Sequence, residues 1–136
     1  MKEFLIHTPE EMESVAKDIM NCTSSQSLFL IYGSLGAGKT TLVKTLGSLM
    51  GFEKQVSSPT FSLINEYSSK HGLIYHIDLY RLESLNEAID IGIEEYLYSK
   101  NLCFIEWPEI IESIVPEHQK IHIEFLEDSL RKVIFS

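Results

Sequence analysis

Residues 27–50 read SLFLIYGSLGAGKTTLVKTLGSLM. The run at 27–32 is apolar without alternation and of strand length, the pattern of a strand buried on both faces. Gly33-Ser34-Leu35-Gly36-Ala37-Gly38-Lys39-Thr40 follows at once and satisfies G-x-x-x-x-G-K-[ST] at every fixed position. Leu42, Val43, Leu46, Leu49 and Met50 then recur at helical spacing, and Gly51 supplies the stop. A buried strand, a glycine-rich turn and an amphipathic helix in immediate succession form a phosphate-binding unit. The glycines let successive backbone N–H groups close on an anion at the mouth of the helix. Lys39 adds a point positive charge for β- and γ-phosphate oxygens, and the Thr40 hydroxyl is a ligand for Mg²⁺. Gly33, Ser34, Leu35, Gly36, Ala37, Gly38, Lys39, Thr40 and Thr41 are therefore the expected nucleotide contacts.

Outward from this unit, residues 3–7 read as a short strand. Thr8-Pro9-Glu10-Glu11 carries a cap, a proline at the first helical position and a capping-box acid, ahead of a helical stripe of Met12, Val15, Ala16, Ile19 and Met20. Residues 60–67 and 73–79 read as an antiparallel hairpin. Residues 84–99 read as helical with a break near Gly92, 101–106 as a buried strand ending in an acid, and 108–114 as a short helix opened by Pro108. A second hairpin, 119–126 and 130–135, turns around Glu127-Asp128-Ser129. The expected architecture is one three-layer α/β domain over residues 1–136, a P-loop nucleotidase-like fold with a mixed, mainly parallel central sheet and antiparallel hairpins.

Composition narrows the function. Among 136 residues, 11 Lys+Arg stand against 20 Asp+Glu for a net charge of −9. Binding to nucleic acid draws on clustered cations, so a stand-alone nucleic-acid binder and an anionic-membrane binder are both disfavoured. Arg81 and Arg131 are the only arginines. Cys22 and Cys103 are too few for a disulfide framework and read as buried thiols. His118 and His122 fall where the pattern alternates like a strand, which separates them too far for a shared metal. The N-terminus MKEFLIHTPEE turns polar too early for a signal or transit peptide, and no run approaches membrane-spanning length. The expected location is the cytoplasm.

A P-loop nucleotidase also needs a carboxylate at the end of a neighbouring buried strand, to orient Mg²⁺ and its waters. Glu106 ends Leu102-Cys103-Phe104-Ile105, and Asp78 ends Leu73-Ile74-Tyr75-His76-Ile77 with His76 on the same strand face. Glu106 is assigned to the metal shell, and Asp78 to the metal shell or the attacking water, with the order left open. In Ser57-Ser58-Pro59-Thr60-Phe61, Thr60 has two readings: a switch-loop threonine that senses Mg²⁺ and γ-phosphate, or part of a turn before a strand. Trp107-Pro108 reads as packing and a helix start. Glu83, Glu87, Asp90, Glu94 and Glu95 read as a solvated helix face, with docking of a basic partner as the functional alternative.

These motifs together resemble the TsaE (YjeE) family of small P-loop ATPases in tRNA threonylcarbamoyladenosine biosynthesis. The resemblance rests on GSLGAGKTTL at 33–42, SPTF at 58–61, Glu66-Tyr67, HIDLYRL at 76–82 and IEWPE at 105–109. It implies ATP and Mg²⁺ as cofactors, TsaB and TsaD as protein partners, and tRNA contacted only through that complex. It also implies Thr40 and Glu106 as Mg²⁺ ligands, Asp78 as an active-site acid, Thr60 as part of a nucleotide-responsive loop and Glu11 near the adenosine; Lys39, Asp78, Glu106 and Thr60 are the catalytic candidates. Two other readings stand beside it. A small-molecule kinase would need more arginines and a lid, and a nucleotide-binding switch without significant intrinsic hydrolysis would differ only in turnover. A GTPase would need an Asn-Lys-x-Asp segment, which the sequence lacks.

Overall fold

The computed structural model describes residues 2–34, 36–56, 63–70 and 72–136, and all that follows concerns those. The strands are β1 (Lys2–Ile6), β2 (Leu28–Tyr32), β3 (Ile64–Ser69), β4 (Gly72–Asp78), β5 (Leu102–Glu106), β6 (Gln119–Glu127) and β7 (Leu130–Phe135). The α-helices are α1 (Met12–Cys22), α2 (Lys39–Met50), α3 (Leu85–Asp90) and α4 (Ile93–Leu97). The strands form one sheet in the order β1-β7-β6-β2-β5-β4-β3. The four central strands, β6, β2, β5 and β4, run parallel, and antiparallel pairs close both edges. This is the expected mixed sheet, and both expected hairpins are present.

The period-two alternation of strand side chains divides the core. On β2, Phe29 and Ile31 face α1 and α2, where they pack with Val15, Ile19, Leu42, Val43 and Leu46. Leu28 and Leu30 face the other way, onto Leu79, Ala88, Ile93, Leu97 and Ile111. The chain moves from β2 across to β4 through α2, then back to β5 through α3 and α4. Right-handed crossovers put connections of opposite direction on opposite faces, and the two apolar clusters lie accordingly. Gly92 takes φ 83° and divides α3 from α4, the break its position predicts. The 108–114 helix is a 3₁₀ turn, Pro108–Ile114. Glu83, Glu87, Asp90, Glu94 and Glu95 are all exposed. Cys103 is fully buried, whereas Cys22, at the end of α1, is only half-buried. No helix among the described residues is long and apolar enough to cross a membrane.

Gly47, in the interior of α2, shows how tightly this layer is drawn. A Cβ there would lie 2.9 Å from both the Cα and the N of Glu53. The Gly47 carbonyl accepts from the amides of Gly51 and Phe52, each at 2.8 Å, and so ties the turn back onto the helix. Alanine normally gains up to about 1 kcal/mol over glycine inside a helix. Forcing a methyl group into packed backbone costs about 1–3 kcal/mol, and here the neighbour is main chain that cannot rotate aside. Gly47→Ala is therefore expected to lower the melting temperature, measured by calorimetry; a rise would mean that propensity outweighs the clash.

Candidate nucleotide-binding site

The parallel register brings the two strand-end acids together. Asp78 pairs with Glu106 and Ile31 with Glu106, so the ends of β4, β5 and β2 lie side by side. The Leu79 amide donates to the Glu106 carbonyl at 3.1 Å and fixes the exit of β4 against β5. Ile74 and Phe104 belong to the α1–α2 cluster, so His76, Asp78 and Glu106, at even spacing from them, point to the α2 side. Asp78 and Glu106 line a cavity of about 300 Å³ together with Lys39, Thr40 and Thr41 from the start of α2. Ile6, Pro9 and Met12 give it an apolar wall.

Two glycines of the turn are placed where a side chain would not fit. Gly38 takes φ 116°, and a Cβ on Gly33 would lie 2.8 Å from the Ile123 carbonyl oxygen. The first is a backbone state that side chains resist; the second is a close approach only a hydrogen permits. Lys39 is buried, and its ammonium donates to the carbonyls of Gly33 and Ser34, the latter at 3.0 Å. The Trp107 ring covers it, with Nζ 3.9 Å from the ring centroid. Burial lowers the Lys39 pKa from its ordinary value, and the nearby carboxylates of Glu106, Asp78 and Glu109 oppose that shift. Asp78 is raised, chiefly by burial and further by Glu106, while the Tyr80 amide, donating to Oδ1 at 3.0 Å, pulls it down. A triphosphate and a divalent cation fit these residues: a loop whose closeness a single Cβ would spoil, a buried ammonium, a threonine hydroxyl and two carboxylates.

Two participants escaped the sequence reading. Arg131, on β7, donates from Nε to the Ala37 carbonyl at 2.7 Å and from Nη2 to the Gly36 carbonyl at 3.2 Å, and it lines the cavity. Pairing of Arg131 with Ile6 across the β1–β7 ladder carries it there; nothing local in the sequence signals it. Trp107, read as packing, takes φ 55° and ψ 55°. That left-handed backbone costs a non-glycine residue about 1–2 kcal/mol, and it turns the ring onto Lys39.

Other residues weighed from the sequence have different surroundings. Glu11 Oε1 accepts at 3.1 Å from the amides of His7 and Thr8, which ties that oxygen to the helix cap. Its neighbours Thr8, Pro9 and Met12 line the cavity. His118 bonds the Pro116 carbonyl at 2.8 Å, and His122 stacks on Tyr32 with centroids 4.5 Å apart. Leu35 and Thr60 lie outside the described residues.

The raised pKa of Asp78 sets a pH dependence. Its carboxyl binds a proton more tightly in the folded chain than in the unfolded one. The stability this confers is complete below the ordinary aspartate range and is lost as pH rises through the folded value. At neutral pH the ionised group therefore destabilises the chelator-treated, nucleotide-free protein. Asp78→Asn keeps an oxygen for the Tyr80 amide and removes the charge. The variant is expected to melt above the parent at neutral pH, with the gap closing below about pH 4; equal melting curves at every pH would contradict this.

Comparison with known proteins shows the family. The family model described as threonylcarbamoyl adenosine biosynthesis protein TsaE matches residues 6–133. The tRNA threonylcarbamoyladenosine biosynthesis protein TsaE of Bacillus subtilis (strain 168) is 35% identical over 129 residues, covering 94% of this chain and 80% of that protein. The protein of the same name from Treponema pallidum (strain Nichols) is 40% identical over 108 residues, 79% of each. The crystal structure of Bacillus subtilis YdiB superposes with a TM-score of 0.74 at 29% identity, covering 98% of this chain and 83% of that one. A matched span running from the last residue of β1 into β7, with a P-loop nucleotidase-like fold beneath it, makes this chain a member of the TsaE family.

Proposed function

We propose that this chain, acting as one P-loop domain over residues 1–136, binds ATP with Mg²⁺ and hydrolyses it in support of threonylcarbamoyladenosine formation on tRNA. The observation that carries the reading is the gathering of Lys39, Thr40, Asp78 and Glu106 around one cavity at the mouth of α2. Gly36, Gly38 and the start of α2 offer N–H groups to the phosphates. Lys39 exchanges carbonyl acceptors for phosphate oxygens and brings its charge to them. Thr40 and Glu106 would hold the cation. Asp78, set beside Glu106 by strand register, would hold the cation or orient water. Bound Mg²⁺ supplies charge neutralisation on the transferred phosphoryl group. Ile6, Pro9 and Met12 supply apolar surface for the base.

Resemblance to the family supports TsaB and TsaD as partners, with tRNA held by them. The acidic composition supports the same division, since a chain of net charge −9 is a poor polyanion binder by itself. The cytoplasm is the proposed location.

Charge-assisted contacts contribute about 1.5–3 kcal/mol each, so Lys39→Ala is expected to weaken ATP binding at least about tenfold by titration calorimetry. Glu106→Ala should retain part of that binding and lose Mg²⁺-dependent turnover. Unchanged affinity in the first variant, or normal hydrolysis in the second, would overturn the assignment. Association with a TsaB–TsaD pair is expected in pull-downs and should change when a non-hydrolysable ATP analogue is added. No association under either condition would remove the partner assignment and leave the nucleotide site standing.

A further inference from the structure

Behind Glu106 a buried polar chain runs through three strands. The Glu106 carboxylate bonds His76 from Oε2 to Nε2 at 2.5 Å, and His76 Nδ1 meets the Tyr67 hydroxyl at 2.9 Å. All three residues are buried, with 3%, 6% and 3% of their surfaces exposed for Glu106, His76 and Tyr67. Tyr67 stacks on Phe52, with centroids 5.1 Å apart and planes 13° from parallel. Phe52 is itself fixed by the turn that Gly47 ties to α2. A carboxylate only accepts, so the His76 ring must place a proton on Nε2 to satisfy Glu106. The other ring nitrogen, Nδ1, meets a hydroxyl that can donate or accept. Burial pushes Tyr67 up to about 12, which keeps the phenol protonated and able to donate.

We infer that His76, with Tyr67 behind it, is a positioning pair for Glu106. It holds Oε2 inside the protein and presents Oε1, which makes no hydrogen bond among the described residues, to the cavity. A glutamate at a strand end has three side-chain torsions, and a one-point anchor on Oε2 removes most of that freedom. This inference rests on the reading of Glu106 as a cation ligand and adds the residues that aim it. Outer partners of ligating groups typically account for about 10–100-fold in metal affinity or activity.

The test pairs two measurements. In the nucleotide-free, chelator-treated protein, imidazole ¹⁵N NMR is expected to show His76 protonated on Nε2; a bare Nε2 overturns the inference. In a double-mutant cycle, Tyr67→Phe, His76→Gln, His76→Ala and Glu106→Gln are compared by Mg²⁺ dependence of ATP turnover and by ATP affinity. Tyr67→Phe keeps the stack on Phe52, so it reports on the relay even if His76→Ala unfolds. His76→Ala is expected to raise the Mg²⁺ requirement about tenfold or more, with ATP affinity little changed. His76→Gln, whose amide can replace the Nε2 donor, should recover part of that loss. In the Glu106→Gln background, read by the Mg²⁺ dependence of ATP binding, the His76 substitutions should add nothing further. If their effects multiply instead, His76 acts independently of Glu106 and the inference fails. If Glu106→Gln itself leaves the Mg²⁺ dependence intact, the failure lies in the cation assignment, and the positioning role falls with it.

Discussion

Lys39 leaves only 5% of its surface to water, and an ammonium so placed is costly unless acceptors surround it. The loop carbonyls of Gly33 and Ser34 provide two, the Trp107 ring a third face, and Asp78 and Glu106 a negative field. Each of these depends on something distant. The carbonyls turn inward because Gly33 sits against the Ile123 backbone, where a Cβ would collide. The field exists because β4 and β5 end in register beside β2. The ring is in place because Trp107 accepts a left-handed backbone. The layered core makes such strain and charge burial tolerable, since its fully buried apolar side chains stabilise the element ends from which the site is built.

How much was legible follows the reach of each signal. The strand, turn and helix at 27–50 are contiguous, so the periodicity of the sequence and one motif contain them. Asp78 and Glu106 were legible because an acid that terminates an apolar run marks a strand's carboxyl end, and in a parallel sheet such ends share an edge. Arg131 was not, because its bonds to the loop span 94 and 95 residues and arise only from the β1–β7 and β6–β7 pairings. Trp107 was not, because a tryptophan before proline gives no sign of a positive φ. The Tyr67–His76 contact fell between the two cases. Strand spacing put His76 on the face of Asp78, but only the β3–β4 register brings Tyr67 within reach.

The site also works against the stability of the chain that carries it. Burial opposes the charge on Lys39 and on Asp78, and Asp78 and Glu106 repel each other. A chain selected for stability alone would replace one acid with a neutral group. A pair of carboxylates kept close at the mouth of a buried-lysine loop is instead the arrangement a divalent cation relieves, because the cation converts mutual repulsion into shared attraction. Nucleotide and cation binding should accordingly stabilise the folded chain more than the contact area implies.

The cationic groups bear on how fast such a site could work alone. Among the described residues, the cations lining the cavity are Lys39 and Arg131. Arg131 directs Nε and Nη2 at loop carbonyls and Nη1 at the Ser129 carbonyl, 3.2 Å away. A guanidinium held by three carbonyls shapes the loop and is poorly placed to meet charge developing on a transferred phosphoryl group. Lys39 is then the cation left for that task, whereas fast phosphoryl transfer in P-loop enzymes adds an arginine finger worth about 10³–10⁵ in rate. On the proposed reading, the isolated chain is a slow ATPase, since Arg81, the other arginine, is not among the described residues that line the cavity.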